Sequence, residues 1–353
     1  MSNSWGKQDI VAVFVALVLI WLMPFLISTF TLTVLVIYGM LGLSLGLIWG
    51  FGGILCFGQA AFFGLGAYTY AIAAINIGES TLPMLLAILV PALFAALLGA
   101  MMFYGRLTDV YLGVITLVAT LILFKFVNST AGPQYVIGEA RIGGFNGIPG
   151  FHTLNIPGQP DEFIWGDALF HVSAIALLLV YFFVTWLLRS SFGRIAVGIR
   201  ENETRVSLMG YDVRARKTIL FAIGAAIAGL AGGLFANWGE IVTPGLFSLG
   251  QSVEIIIWCI VGGLGTRFGP IIGAAGLAYL KFLLGQQTLI DNTLITGIIL
   301  VVFVLFLPKG IVPAVTSLWN MSVGKRAARK PRNRRHTRRL ARRTARGVGN
   351  ENG

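Results

Sequence analysis

The sequence predicts an all-α, polytopic membrane protein with about ten transmembrane helices, eight at the fewest. Three observations predict it. Of 353 residues, 56% are hydrophobic and only 11% are charged, against about 25% charged in a soluble globule whose surface faces water. Mean hydropathy is +0.83. Apolar runs long enough to bridge a hydrocarbon core of roughly 30 Å recur along the chain. A cytosolic globule is excluded. The net charge of +12 belongs to one place: twelve Lys and Arg fall between Lys325 and Arg346, and without them 14 bases face 14 acids.

The elements follow in order. Lys7 precedes a run over 9–29 that is longer than a signal-peptide core, lacks a small-residue cleavage site and leads straight into the next run, so it is expected to stay as a span. Further spans are expected over 31–50, 52–77, 83–103, 110–128, 168–188, 218–238, 250–264, 268–286 and 291–308. Segments 52–77 and 250–286 are broken by glycine, so eight or nine full spans with re-entrant pieces fit almost as well. Basic residues in short loops set orientation. Arg189, Arg194, Arg200, Arg205, Arg214, Arg216 and Lys217 crowd 189–217, which is expected in the cytoplasm, as is the chain after Lys309. Four spans separate these two regions, and an even number agrees with both lying on one side. Counting back puts Arg106 inside and Glu79 and the 129–167 loop outside, with both termini cytoplasmic. That loop carries Glu139, Asp161 and Glu162 against Arg141. At nearly forty residues, with the run Gly143-Gly-Phe-Asn-Gly-Ile-Pro-Gly150, it exceeds an ordinary connection. It is either a tolerated excursion or a lid or docking surface at the outer mouth.

Catalytic and metal motifs are missing from the sequence. Gly193 to Gly198 has the spacing of a phosphate loop, but Ile199-Arg200 follows where Lys-Ser/Thr is required. Gly263-Leu-Gly265-Thr-Arg-Phe-Gly269 is one residue off a dinucleotide fingerprint. His152, His171 and His336 are scattered, and Cys56 and Cys259 lie in apolar runs as buried small hydrophobes. No metal and no cofactor is expected on this chain, so any ATP and Mg must be bound by another polypeptide. Ionisable residues inside spans are few: Lys125, Glu254 and Lys281, all near a boundary. The lysines can snorkel, whereas Glu254 is either a helix-end carboxylate or part of a gate or permeation path.

Small residues at four-residue spacing let helices approach closely in lipid. They occur at Gly42, Gly46 and Gly50, at Gly224, Ala228 and Gly232, and at Gly229 and Gly233. The glycine-rich run from Gly50 to Tyr68 weakens a helix by about 1 kcal/mol per glycine relative to alanine. Backbone broken at membrane depth is tolerated where it lines a cavity or is buried in protein. Gly58 and the amide of Gln59 are therefore candidates for a translocation path, with packing as the other reading.

Within 189–217, Ile195, Val197, Ile199, Val206 and Met209 mix with charges as a short amphipathic helix requires. Such a helix makes a rigid knob for a groove on a partner. The pattern Gly193-Arg194-x-x-x-Gly198-Ile-Arg200-Glu201-x-Glu203…Gly210 resembles the coupling loop of the branched-chain amino acid family of ABC importer permeases. The run 50–68, Val261-Gly-Gly-Leu-Gly-Thr266 and Leu307-Pro-Lys-Gly-Ile311 are similar to other motifs of that family, and the resemblance spans about residues 30–313. It implies an ABC importer permease-like fold in an inner-membrane subunit over 1–313. Its partners would be a related permease in a heterodimer, two cytoplasmic ATPase subunits and an extracytoplasmic solute-binding protein. Gly193, Arg200, Glu201 and Gly210 would engage an ATPase, with Arg194 and Glu203 beside them. Arg205, Glu254-Ile-Ile-Ile-Trp258, the stretch 199–205 and Gly144-Phe-Asn146-Gly147 lean toward the urea and short-amide branch, which adds Asn146 to the path candidates. The substrate stays open between branched-chain amino acids and urea or short amides. A free-standing channel or secondary transporter for a small polar solute is the alternative. The basic tail, 314–353, repels itself and is expected to be disordered. It would contact anionic lipid at roughly 1 kcal/mol per basic residue near the surface; no nucleic acid is expected.

Overall fold

The computed structural model describes residues 22–151, 153–156, 159–285 and 310–313, together with Val18 and Gly297. The expected spans 9–29 (for most of its length) and 291–308, His152, His336 and the tail lie outside these residues. Among the described residues, six helices are long and apolar enough to cross a membrane. Helix α1 (Thr29–Leu45) continues through a widened turn to Phe51. It is followed by α2 (Gln59–Ile77), α3 (Thr81–Tyr104), α4 (Asp109–Ser129), α5 (Asp167–Arg189) and α8 (Val213–Gly239). Two short helices, α6 (Ser191–Glu201) and α7 (Glu203–Leu208), lie between α5 and α8. Helices α9 (Leu249–Gly262) and α10 (Gly269–Gly285) are apolar but only 14 and 17 residues long.

Two expectations shift at their edges. The segment expected as one span over 52–77 is helical only from Gln59, because 52–58 runs as irregular chain between α1 and α2. The 250–286 stretch forms two short helices joined at Gly263–Phe268.

The helix starts follow from capping residues. Ser190 Oγ accepts from the Gly193 N–H, Asn202 Oδ1 from Arg205, Asp212 Oδ1 from Ala215 and Ser248 Oγ from Gln251. Each satisfies an amide that the first helical turn leaves without a partner. Size decides which helix face turns inward. On α3, Ala87, Pro91, Ala95 and Gly99 are buried, while Leu85, Leu89, Leu93, Leu97 and Met101 are exposed. Small residues let backbones close on one another, and large apolar ones face the surface that meets lipid or a partner.

Helix α8 sits against α1, α2 and α3, and its small residues are the reason. A Cβ placed on Gly229 would lie 2.2 Å from the Ala87 carbonyl oxygen of α3, and one on Gly66 of α2 would lie 2.5 Å from Gly229 Cα. Gly232 meets the Phe63 carbonyl in the same way, at 2.0 Å. The other register does the corresponding job for α1. Gly42 and Gly46 admit Pro270 at the start of α10, and Gly50 admits Gly265.

The 129–167 loop is built from short pieces rather than left irregular. Strands β1 (Val136–Ile137) and β2 (Ala140–Arg141) pair antiparallel, as do β4 (Asn155–Ile156) and β5 (Gln159–Phe163). Strand β3 (Ile148–Pro149) pairs with β6 (Ile241–Val242), just beyond α8. Helix-end polar residues pin the loop down. Asn76 accepts from the Glu139 N–H and donates to the Ile137 carbonyl, Ser80 bonds Asn155, and Asn237 accepts from the Leu154 N–H.

Gly229→Ala is expected to lower stability by about 1–3 kcal/mol, because the backbone it would strike cannot rotate away. Gly276→Ala, where an added Cβ meets nothing within 4 Å, is expected to leave stability unchanged. Thermal unfolding of the two variants in detergent, beside the parent chain, checks the contrast.

Candidate coupling and translocation sites

The sequence-predicted residues fall into three places. Gly193, Arg194, Arg200, Glu201, Glu203 and Gly210 lie on the α6–α7 knob. Gly58 and Gln59 lie in the interior, beside the break after α1. Asn146 and Glu254 lie near the end of the helices that carries the 129–167 loop.

The knob has its own small core of Ile199, Val206 and Val213, with Ile195 packed against it. These are apolar positions the amphipathic pattern singled out, plus Val213 from the first turn of α8. Gly193 lets α6 fold back on the end of α5: a Cβ there would sit 2.3 Å from the Leu187 carbonyl. Arg194 closes the same corner, donating to the Arg189 carbonyl at 2.6 Å and to Ser191 Oγ at 3.0 Å. Glu203 pairs with Lys217 at 2.5 Å, tying α7 to α8. Gly210, at φ +86° with open space where a Cβ would point, turns the chain after α7. Leu208 and Met209, immediately before it, are 84% and 68% exposed. The knob therefore presents an apolar tip on a rigid base.

Arg200 reaches inward. Its Nη1 donates to the Gly50 carbonyl, and its Nη2 pairs with Glu201, both at 2.5 Å. Gly53, at φ +68°, packs on its stem, where a Cβ would lie 2.7 Å from Arg200 Cγ. The guanidinium thus joins the knob to the carbonyl at which α1 stops being a regular helix. Neither composition nor spacing signals that contact, because 150 residues separate the partners. Glu201, its side chain 66% exposed, is the member of the pair that faces outward.

At the break, α1 widens so that the Gly52 N–H donates to the Leu47 carbonyl, five residues back. Wide turns of this kind often mark functional positions. Gln59 opens α2 and is 1% exposed. Its Nε2 donates to Ser44 Oγ at 2.7 Å, and its Oε1 accepts from the Cys56 thiol. Gly58 lies against the Thr116 carbonyl of α4, and Thr116 Oγ1 accepts from the Phe57 N–H at 3.1 Å. The polar groups of the break are therefore matched by α1 and α4.

Asn146 ends a short turn over Gly144–Asn146 and is exposed. Glu254, on α9, forms an ion pair with Lys281 of α10. The sequence marked both residues separately near a boundary, and only the packing of α9 on α10 joins them. The pair borders a cavity of about 450 Å³ walled by Phe30, Tyr38, Trp238 and Trp258. The Trp238 indole in this wall donates to the Phe30 carbonyl at 2.8 Å. Lys125, the third ionisable residue the sequence singled out in a span, is exposed near the end of α4.

Residues 27–307 match the family model described as "Branched-chain amino acid transport system / permease component". The chain is 29% identical to the high-affinity branched-chain amino acid transport system permease protein LivM of Escherichia coli (strain K12), over 89% of this chain and 77% of that one. It is 23% identical to the probable branched-chain amino acid transport permease protein LivM of Methanocaldococcus jannaschii, over 78% of this chain and 90% of the relative. The autoinducer 2 import system permease protein LsrC of Escherichia coli O9:H4 (strain HS) is 27% identical, over 49% of this chain and 55% of its own. No solved structure matches the chain. A match over 27–307 takes in every membrane-length helix described above, and with it the knob, the break and the Glu254–Lys281 pair: the chain belongs to the branched-chain amino acid family of ABC transporter permeases and is a multi-pass membrane protein.

Proposed function

We propose that this chain is the inner-membrane permease subunit of an ABC importer for branched-chain amino acids. A separate ATPase would power it, this chain binding neither ATP nor metal itself. The observation that carries the reading is the knob: a capped, two-helix unit with an exposed apolar tip, tied through Arg200 to the discontinuous end of α1. Movement imposed on α6 would be delivered to Gly50, where backbone rather than side chain receives it. Coupling of this kind requires an element with two arrangements that both sites bias, and a helix already broken at Gly50–Gly58 suits that part.

The finer assignments follow. The chain would cross the membrane about ten times with cytoplasmic termini. The 189–217 stretch would be the cytoplasmic coupling loop, 129–167 would lie on the opposite side, and 314–353 would rest on anionic lipid. Positive charge at one end supports that orientation, as does the alternation of helix ends, which sets the knob opposite the loop. Glu201, Glu203, Gly193, Arg194 and Gly210 would shape the ATPase-facing surface, while Arg200 would act behind it as a positioning residue. Gly58, Gln59, Asn146 and Glu254 remain the proposed path residues. The partners would be a related permease, two ATPase subunits and a solute-binding protein. Branched-chain amino acids are preferred to urea or short amides because the two LivM relatives, though not LsrC, carry that substrate in their names. The family match also weighs against a free-standing channel or secondary transporter.

Two measurements test this reading. A cysteine at exposed Ser207 is expected to react with an impermeant thiol reagent in inverted vesicles and not in intact cells. Cys56 and Cys259 are fully buried and contribute little background, so labelling from outside would reject the orientation. Separately, Arg200→Ala in the complete transporter is expected to cut ATP-driven leucine uptake about tenfold or more, the scale of losing a charge-assisted hydrogen bond. The ATPase should still co-purify with that variant. Loss of the ATPase instead would make Arg200 a docking contact.

A further inference from the structure

At the loop end of the bundle a second cavity, of about 310 Å³, lies where α1 begins, α8 ends and the 129–167 segment enters α5. Phe30, Trp165 and Trp238 give it aromatic walls, and among the described lining residues Glu240 carries the only charge. The Trp165 indole donates to Glu240 Oε1 at 2.7 Å, which fixes the carboxylate beside that ring. Asn237, the amide in the lining, is already committed at both ends, to the Leu154 N–H and the Gly233 carbonyl. Glu240 closes α8 at φ +54°, a left-handed conformation that glycine adopts without strain and glutamate does not. Backbone strain borne at such a position points to a use for the side chain.

We propose that this pocket receives an arginine or lysine side chain of the extracytoplasmic solute-binding protein, whose docking face is therefore basic. This deepens the function proposed above and rests on it. A carboxylate bordered by indole and phenyl rings favours a cation, and a lining with no base among its described residues selects which cation. A free amino acid brings a carboxylate with its ammonium, and an amine phospholipid brings a phosphate. Either anion would lie beside Glu240 with no base to answer it, and like charges side by side are unfavourable. A guanidinium or ammonium on a protein side chain brings positive charge alone. The surroundings extend the match. Glu139, Glu162 and Asp167 are exposed at the same end, where the exposed bases among the described residues are Arg141 and Lys125, so complementarity calls for a basic partner. Trp165, 65% exposed just before α5, puts one wall of the pocket within reach of a protein approaching from that side. A glutamate that only ended α8 would need neither the cavity nor the indoles.

The test uses the complete transporter in lipid nanodiscs containing phosphatidylethanolamine, where both faces are open, and reads ATP hydrolysis as its solute-binding protein is titrated. Glu240→Gln is expected to raise the concentration giving half-maximal stimulation about fivefold or more, the scale of one partly exposed charge contact with its aromatic neighbours. The rate at saturation should not change. Added salt should weaken the parent's response and narrow its gap to the variant. Glu240→Gly keeps the left-handed turn without strain. It is expected to unfold no earlier than the parent in detergent and yet to lose the same affinity, a separation that a purely structural Glu240 would not give. Half-maximal concentrations within about twofold of the parent for both variants overturn the docking site while leaving the function standing. So does a difference that vanishes when phosphatidylglycerol replaces phosphatidylethanolamine, which would make the pocket a lipid site. A parent transporter whose ATPase is not stimulated by its binding protein overturns the function, and this site with it.

Discussion

A backbone that leaves its helix inside a membrane protein must find partners for the amides and carbonyls it frees, because no water is at hand to take them. In this protein the region around Gly46–Gly58 meets that demand with groups drawn from several elements. The Gly50 carbonyl is held by Arg200 of α6, the Phe57 amide by Thr116 of α4, and Ser44 of α1 receives the Gln59 amide that opens α2. Other parts depend on that solution. The knob is anchored by the same guanidinium, the joint between α9 and α10 approaches α1 through Gly265 at Gly50, and Gln59 at the start of α2 is fixed to α1. A break that would otherwise destabilise the bundle is thereby tied to α1, α4 and α6.

Packing elsewhere obeys an inversion of the soluble rule. With lipid as apolar as leucine, hydrophobicity does not sort inside from outside, and atomic size does. Helix α3 turns Ala87, Pro91, Ala95 and Gly99 inward and its leucines outward, while α8 brings glycine to both α2 and α3. Backbones in contact offer many weak dispersion contacts at once, and they tolerate little displacement. Rigid contact of this kind suits a scaffold.

The two ends of the bundle carry different chemistry. At the knob end, polar contacts hold short helices to the ends of long ones, through Arg194 on Arg189 and Lys217 on Glu203. At the loop end, asparagine and serine side chains from α2, α8 and the turn before α3 bind backbone of the 129–167 segment, and Trp165 donates to Glu240 at 2.7 Å. The loop is thus an ordered cover whose hairpins are held by the helices beneath. Arginine and lysine contacts hold the first end, and asparagine and serine hydrogen bonds to backbone hold the second, beside the Glu254–Lys281 pair.

Much of this was legible in the chain. Apolar run length located most of the long helices to within a few residues, since a membrane fixes how many residues a crossing needs; the 52–77 run is the exception, being helical only from Gln59. The four-residue registers at Gly42, Gly46 and Gly50, and at Gly229 and Gly233, announced contacts that the structure contains. The mixture of Ile195, Ile199 and Val206 with charges announced an amphipathic knob. These are properties of a segment taken alone. What the tertiary structure decided is which segments meet: that Arg200 turns inward to Gly50, that Glu254 and Lys281 form a pair, and that Gln59 is satisfied by Ser44. Groups 15, 27 and 150 residues apart become neighbours only once helices have packed. Their pairing follows from which small residues permit close approach, a three-dimensional fit that no local pattern of hydrophobicity records.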